Sequence, residues 1–538
     1  MPAGLADMGL FVALGLYLVL LWHRTSRAPL IGCVSVALAC GLTALWEGKW
    51  QAVPGAGLAI LCLGGAIVGR GAGRHGQAIA AAAVGAFAAS ALPFWFFPIF
   101  SLPAPDGPYR VGTLSVEMTD ADRAGLLGRP AHEVRRLPVR IWYPAPTGVT
   151  GPVAAYTGKG EARSLGTNFG EPWFYYTQLA TIRPHAMRDL PIERGRWPVI
   201  IFNHGFWSYP EQNTALVERL ASHGYIVIGI GHPGDAVTFT LADGVRLDPY
   251  LGGTEKSPAS TALEAGTAAF MGGRTEEERF NGLSRFDTGA AGHRINTSAH
   301  AWRDDTLFTL KMLKTAPRKA ATIMTMADFS RVAVTGMSFG GSVAPSACAR
   351  IPECRAAINL DGESFDFSLY NADFGRPLLV VLTGQKFSPD QLDDPRTNPT
   401  DYAYERWATA GEAHDIYRMR VASLRHLGLT DLLLSARNPF KARRYGTINS
   451  ERGVRLMGDA ALTFLDQHVK GKPSDFPSRF YRAYPEAQPH DPGHVRRWWL
   501  ARNAARGCDT KAVRAVVPVN NVPAMRLGPW IQASNACE

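Results

Sequence analysis

The sequence is short of cysteine and short of charge. Only 7 of its 538 residues are Cys, which excludes a small disulfide-built scaffold. Asp, Glu, Lys and Arg make up 19%, too few for a chain kept disordered by its charge, and 46% of residues are hydrophobic. The net charge of +10 is not gathered into a basic stripe with interleaved aromatics, so nothing points to nucleic acid as a partner. No internal repeat is visible. At about 100–200 residues per domain, the length allows two to four domains.

The shortage of charge is concentrated at one end. Residues 1–100 carry only Asp7, Arg24, Arg27, Glu47, Lys49, Arg70 and Arg74. Between them run four apolar stretches, Leu5–Trp22, Pro29–Trp46, Ala52–Gly69 and Gln77–Phe100. Each is close to the ~20 residues that cross a bilayer core as a helix. Trp22, Trp46, Trp50 and Trp95 stand near their ends, as interfacial anchors do. A soluble bundle would show a polar face, and these stretches show none. The first seven residues hold no Lys or Arg, and no small-x-small pattern follows Trp22, so a cleaved leader is not expected. The reading is therefore four transmembrane helices within 1–100. Arg24 and Arg27 lie in the first loop and Arg70 and Arg74 in the third, while Glu47 and Lys49 cancel in the second. By the positive-inside rule, residue 101 onward faces the periplasm or the exterior.

Cysteine placement agrees with an oxidising compartment. Cys33, Cys40 and Cys62 lie in the apolar stretches, and Cys348, Cys354, Cys508 and Cys537 lie beyond them. Nearness in sequence favours Cys348–Cys354 and Cys508–Cys537 among three pairings, with free buried thiols as the alternative.

Past residue 100, strand-like and helix-like segments alternate. Apolar runs at Val139–Tyr143, Pro198–Asn203, Tyr225–Ile230, Arg331–Thr335, Ala356–Leu360, Pro377–Thr383 and Tyr417–Ala422 read as strands. Helical spacing appears over Glu211–His223, Ala299–Leu313 and Val454–Val469. This implies an α/β fold with a mostly parallel sheet covered by helices. The catalytic-type domain is placed at 101–471, with loop or cap insertions near 150–195 and 232–295. Residues 472–538 form a C-terminal extension without an assigned role.

The sharpest motif is Gly336-Met337-Ser338-Phe339-Gly340-Gly341, after the strand RVAVT and before an Ala-rich helical segment. Strand, turn and helix are the context of a nucleophile elbow. A Ser forced into so tight a turn leaves no room for side chains two residues away on either side. Gly336 and Gly340 meet that need. The alternative is a Gly-rich turn that merely packs a helix on a sheet.

A serine hydroxyl needs a base, and the base needs an orienting carboxylate. In folds with such an elbow the chain order is Ser, then Asp or Glu, then His. Asp361 ends the strand after the elbow, ahead of its competitors Glu363 and Asp366 in the following loop. The His must come later, from His414, His426, His468, His490 and His494. His426 follows the last strand, where a loop can reach back to Ser338, and His414 precedes it. His468 reads as a surface residue of the closing helix, and His490 and His494 lie in a Pro-rich tail. An oxyanion needs two backbone N–H groups, one after the nucleophile and one after an earlier strand. Phe339 and Phe206 fit, the latter in Asn203-His204-Gly205-Phe206-Trp207. His204 reads as a prop for this loop.

These residues together resemble the plasma-type platelet-activating-factor acetylhydrolases and their bacterial dienelactone-hydrolase-like relatives. The resemblance rests on GPYRVG (107–112), RIWYP (140–144), PVIIFNHG (198–205), LASHGYIV (220–227), GMSFGG (336–341) and LDG (360–362), and spans about 107–470. It implies an α/β-hydrolase with Ser338 as nucleophile, Asp361 as acid, His426 as base, and Phe206 and Phe339 as oxyanion donors. It also implies a lipid-like or small ester as substrate, and neither metal nor cofactor. Met337 stands where the family often has His, and 232–295 is longer than the family's connection. The expected activity is that of a membrane-anchored serine ester hydrolase. Alternatives are a polyester, lactone or peptide hydrolase of the same mechanism, or a non-catalytic membrane sensor. The intact Ser338, Asp361 and His426 set argues against the last. Nothing in the sequence speaks to oligomeric state.

Overall fold

Runs of Val, Ile and Leu with no polar alternation form strands that are covered on both faces. In the computed structural model they build one ten-stranded sheet from β1 (Arg110–Ala124), β2 (Val134–Ala145), β3 (Met187–Arg188), β4 (Trp197–Asn203), β5 (Ile226–Ile230), β8 (Ala327–Met337), β9 (Cys354–Leu360), β10 (Leu378–Gln385), β11 (Ile416–Arg425) and β12 (Ala487–Pro489). Two short strands, β6 (Phe239–Thr240) and β7 (Arg246–Leu247), pair separately. The order across the sheet is β12-β11-β10-β9-β8-β4-β5-β2-β1-β3. From β5 to β11 all neighbours are parallel, while β2, β1 and β12 attach antiparallel. Ile200, Ile226, Ile228, Val332, Val334, Leu378 and Val380 are fully buried in it. Helix Thr214–Ser222 packs with Ser450–His468, and Arg294–Lys314 packs with Phe339–Ala349. This is the mostly parallel, helix-flanked sheet expected from the alternation.

The structure describes residues 4–23, 26–68, 76–125, 133–250, 258–290, 294–370, 374–385, 398–405 and 415–505. They divide into two compact units: 1–103 with 154–184 and 432–444, and the remainder, which holds the sheet.

Within the sheet unit two features differ from expectation. The first is β1, a 15-residue strand outside the apolar runs that read as strands. Its period is 2: Val116 and Met118 are buried while Ser115, Glu117 and Thr119 are exposed. The second is the insertion at 232–295. It contains two helices, Pro258–Gly272 and Glu276–Ala290, lying against each other. A side chain at Gly266 would come within 2.4 Å of the Phe286 backbone nitrogen, and one at Gly282 within 2.3 Å of that of Phe270. The glycines that make this segment look like loop are the contact points of a helical hairpin.

The other unit contains the apolar helices α1 (Leu5–Trp22), α2 (Arg27–Trp46), α3 (Val53–Val68), α4 (Gly76–Ser90) and α5 (Leu92–Phe96). Among the described residues three stretches are long and apolar enough to cross a membrane, Leu5–Trp22, Arg27–Trp46 and Trp50–Ile67, and not four. The fourth apolar stretch is divided: α4 stops at Ser90, and α5 restarts with Pro93 in its first turn. Proline is tolerated there because the first-turn N–H groups lack helical partners anyway. Lys49 Nζ pairs with Asp7 at 3.0 Å and Gln51 Nε2 donates to the Phe97 carbonyl at 2.9 Å, so the start of α1, the α2–α3 turn and the end of α5 meet at one end of the unit. Segments 154–184 and 432–444 pack there too. Tyr175 stacks on Trp50, Phe440 packs on Phe97, and Arg437 lies over Trp95 at 4.1 Å. Of the loop arginines behind the topology reading, Arg24, Arg70 and Arg74 lie outside the described residues.

Cys348 and Cys354 form a disulfide that joins the end of helix Phe339–Ala349 to the start of β9. Cys508 and Cys537 lie outside the described residues. Peptide mapping without reductant is expected to recover Cys348 linked to Cys354. The double change Cys348→Ser, Cys354→Ser should lower unfolding stability by about 2 kcal/mol, the loop-closure value for so short a ring. Two alkylatable thiols at these positions in unreduced protein would reject the bond.

Candidate active site

The C-terminal ends of β4, β8, β9 and β11 carry the candidate residues. Ser338 follows β8 directly and occupies the N-cap of helix Phe339–Ala349, at φ 56° and ψ −123°. A non-glycine residue held there stores on the order of 1–3 kcal/mol of strain and needs its surroundings to hold it. They do so by hydrogen bonds at 2.8 Å from Ser338 N–H to the Leu360 carbonyl and at 3.0 Å from Ser342 N–H to the Ser338 carbonyl. The two glycines leave no room for substitution. A side chain at Gly336 would lie 2.2 Å from the Gly340 carbonyl oxygen, and one at Gly340 2.2 Å from that of Asn203.

Asp361 follows β9, also at positive φ (58°), and is buried. Its N–H donates to the Val381 carbonyl at 2.8 Å. Its carboxylate accepts from Thr383 N–H at 2.9 Å and from the Thr383 hydroxyl at 2.6 Å. His426 is the first residue after β11 and is 6% exposed. Its Nδ1 lies 2.7 Å from Asp361 Oδ2 and its Nε2 lies 2.7 Å from Ser338 Oγ. An ionised Asp361 accepts from Nδ1–H, which leaves Nε2 to accept from the serine hydroxyl. The three side chains expected together thus form one hydrogen-bonded line.

Asp366, His468 and His490 are engaged elsewhere. Asp366 pairs with Arg350 at 2.8 Å and accepts from the Ser346 and Ser368 hydroxyls; these contacts hold its carboxyl below the usual range despite burial. Glu363 lies in the loop after β9 and is half-buried. His414 lies outside the described residues. His468 is not a free surface residue but packs between Tyr417 and Phe464. His490 pairs with Asp401 at 2.8 Å.

The turn after β4 runs beside the serine. A side chain at Gly205 would lie 3.3 Å from Ser338 Cβ, and the rings of Phe206 and Phe339 meet at 5.1 Å. Gly340 N–H donates to the His204 carbonyl at 3.1 Å, which ties this turn to the elbow. His204 is fully buried, and desolvation together with neighbouring His232 holds its imidazole well below the usual range.

Sequence reasoning missed several supports. Thr383 binds Asp361 from the neighbouring strand β10. Gln212 accepts from Gly205 N–H at 2.9 Å and donates to Asn213, whose Nδ2 donates to the Leu429 carbonyl at 2.6 Å. This bridges the β4 turn to the His426 loop. A polar pair at the start of helix Thr214–Ser222 was the available signal, but a capping role would explain it equally well. Among the described residues no group of three His, Cys, Asp or Glu could hold a metal ion.

Two comparisons with known proteins bear on this arrangement. A family model described as Chlorophyllase matches residues 179–231, the stretch containing β4, the His204–Trp207 turn and β5. A solved ferulic acid esterase from Streptomyces cinnamoneus is similar in structure, with a TM-score of 0.54 and 21% sequence identity over 73% of this chain and 99% of that one. At that identity the likeness speaks for the fold: the sheet that carries Ser338, Asp361 and His426 is an α/β-hydrolase sheet.

Proposed function

We propose that this chain is a serine ester hydrolase acting through an acyl-enzyme. The observation that carries the reading is the pair of 2.7 Å contacts, Ser338 Oγ to His426 Nε2 and His426 Nδ1 to Asp361, at a strained strand-to-helix turn. In the forward step His426 Nε2 takes the hydroxyl proton as Ser338 Oγ bonds to the ester carbonyl carbon. The carbonyl oxygen gains the negative charge and is held by the N–H groups of Phe206 and Phe339. Imidazolium returns the proton to the departing alkoxide, leaving Ser338 acylated. Water, deprotonated by His426, then releases the acid. Asp361 orients the imidazole and stabilises its charged form, and Thr383 holds Asp361.

The finer reading is a membrane-anchored enzyme working outside the cytoplasm on lipid-like or small carboxylic esters. The apolar helices support anchoring. The disulfide favours an oxidising compartment. The resemblance to acetylhydrolases of the platelet-activating-factor type supports an ester of lipid character, and the name of the structurally similar ferulic acid esterase supports ester cleavage.

Full-length protein in nanodiscs should be labelled by a fluorophosphonate and hydrolyse short-chain nitrophenyl esters. Ser338→Ala should abolish labelling, and either Ser338→Ala or His426→Ala should lower kcat by roughly 10⁴–10⁶, the double change adding little, because such residues act as a unit. Asp361→Asn should lower it by about 10⁴. Wild-type activity in Ser338→Ala rules out the mechanism. Loss in His414→Ala with retention in His426→Ala moves the base to His414.

Thr383→Val removes one donor to a buried carboxylate and should reduce kcat about tenfold, the kinetic equivalent of one such hydrogen bond, with KM unchanged. An unchanged kcat denies Thr383 its part.

For the anchor, Lys49 and Gln51 meet the start of α1 and the end of α5 at one end of the unit, so α4 and α5 together return the chain to the side of Lys49, and reporter fusions after Lys49 and after Asp106 should both read as outside the cytoplasm. A cytoplasmic signal after Asp106 overturns the topology.

A further inference from the structure

Behind the His204–Trp207 turn lies a second buried His–Asp pair that the ester-cleaving steps above do not use. His232 follows β5, and its Nδ1 lies 2.8 Å from Asp305 Oδ2. Both side chains have no exposed surface. Arg135 grips Asp305 through Nε at 3.1 Å and Nη2 at 2.6 Å, and Arg123 adds a contact at 2.9 Å. Arg135 and the hydrogen bond with His232 hold the Asp305 carboxyl far below the usual range against the pull of burial. Arg135 also donates to the Pro233 carbonyl at 2.8 Å, beside His232. The His232 ring stacks on Trp302 with centroids 3.9 Å apart and planes 11° apart. Burial holds the His232 imidazole below its ordinary range. Its Nε2 lies 3.0 Å from Asn203 Oδ1, which also accepts from the Thr306 hydroxyl at 3.1 Å, while Asn203 Nδ2 is buried with no hydrogen-bond partner. A neutral ring that donates from Nδ1 to Asp305 needs a donor at Nε2. The Asn203 amide supplies one when its nitrogen is turned toward the ring.

The consequence of pinning His232 appears at the turn. His232 backbone N–H donates to His204 Nε2 at 3.3 Å. The proton of the neutral His204 ring is therefore on Nδ1, which donates to the Gly205 carbonyl at 2.7 Å. In a trans peptide the C=O and the following N–H point in opposite directions. Fixing the Gly205 carbonyl on His204 fixes the Phe206 N–H on the opposite side. Gly205 N–H is tied to Gln212 and Trp207 N–H to the Asp235 carbonyl, so the peptides on either side cannot turn independently.

We propose that Asp305 and His232, gripped by Arg135, are positioning residues that set the tautomer of His204 and thereby aim the Phe206 N–H at the developing oxyanion. The proposal rests on the ester-hydrolase reading and on Phe206 as one of its two oxyanion donors. It assigns no proton transfer to the second pair. Its imidazole keeps one protonation state through the cycle, whereas that of His426 alternates.

The test uses the full chain in nanodiscs, with nitrophenyl esters as substrate and a trifluoromethyl ketone as a tetrahedral-adduct inhibitor. Removing an oxyanion donor outright lowers kcat by about 10²–10³. His204→Leu, which frees the Gly205 carbonyl, should lower kcat by roughly 10² and weaken the ketone in proportion, with KM changed less than about threefold. His204→Asn places an amide N–H where Nδ1 stood and should restore most of both. His232→Phe keeps the stack on Trp302 but loses the grip of Asp305; it should shift kcat and ketone affinity together by about tenfold, and it carries the test if His204→Leu does not fold. Unchanged kcat and ketone affinity in these variants, in a protein whose activity still depends on Ser338, overturn this inference and leave the hydrolase reading intact. So does a loss that His204→Asn fails to restore, or one shared equally by KM. If the wild-type chain neither hydrolyses esters nor takes the fluorophosphonate label, both fall together.

Discussion

Everything at the candidate site depends on one backbone constraint, the positive φ of Ser338. An L-residue enters that conformation only where neighbouring atoms leave it no alternative. Here three strands and a helix converge on the turn. Gly336 touches the Gly340 carbonyl, Gly340 touches the Asn203 and His204 carbonyls, and Gly362 comes so near the Ser338 carbonyl that a side chain would lie 2.3 Å from it. The glycines are thus required by closeness rather than by flexibility. The turn in exchange lifts the hydroxyl clear of the sheet and starts a helix directly beneath it, with Phe339 as that helix's first residue. Asp361 and Trp207, at φ 58° and 61°, show that the acid and the β4 turn are held in the same unfavourable region. Strain gathered at three converging loop ends fits a site whose geometry must not relax.

The strand order explains why those three loops meet. β4, β8 and β9 are consecutive neighbours, and β10 and β11 follow. Parallel strands end on the same side, so the residues just past β4, β8, β9 and β11 share one edge of the sheet. β10 contributes Thr383 from within its strand, one position over from the Asp361 loop. The His426 loop must cross back over β10 and β9 to reach Ser338. The hydrogen-bond chain from Gly205 through Gln212 and Asn213 to Leu429 then ties that loop to the opposite side of the serine.

What is legible in the sequence follows from how local each cause is. Ser338 announces itself because its strand, glycines and helix are contiguous. Asp361 is legible as the polar residue that ends the next apolar run, and His426 as the one that follows the last. The length of β1 was equally open to reading, since Val116 and Met118 alternate with Ser115 and Glu117, but its Thr, Asp and Gly residues mask the pattern. The helical hairpin at 258–290 is obscured for a different reason. Small residues at its crossing remove the apolar stripe by which a helix is usually found, and only the partner helix reveals that the glycines are contacts. The division at Ala91 is likewise invisible to composition, because the fourth stretch stays apolar across it. Least legible are pairs made by tertiary contact alone. Nothing near His232 in the chain foretells Asp305, and nothing near Asp361 foretells Thr383.

The two His–Asp pairs bring out a contrast in how burial is used. His426 is buried but its Nε2 meets the Ser338 hydroxyl, so in the proposed reaction gaining and losing a proton changes only a contact that the reaction itself remakes. His232 is enclosed by Trp302, Asn203 and a carboxylate already claimed by two arginines. Charging it would leave an extra proton with no solvent to share it, and removing its partner would leave Asp305 with cations alone. A residue so enclosed is poorly suited to proton transfer and well suited to holding geometry. The same ring and carboxylate thus serve two ends, and the difference between them is set by what lies beyond Nε2: a mobile hydroxyl in one case, a fixed amide in the other.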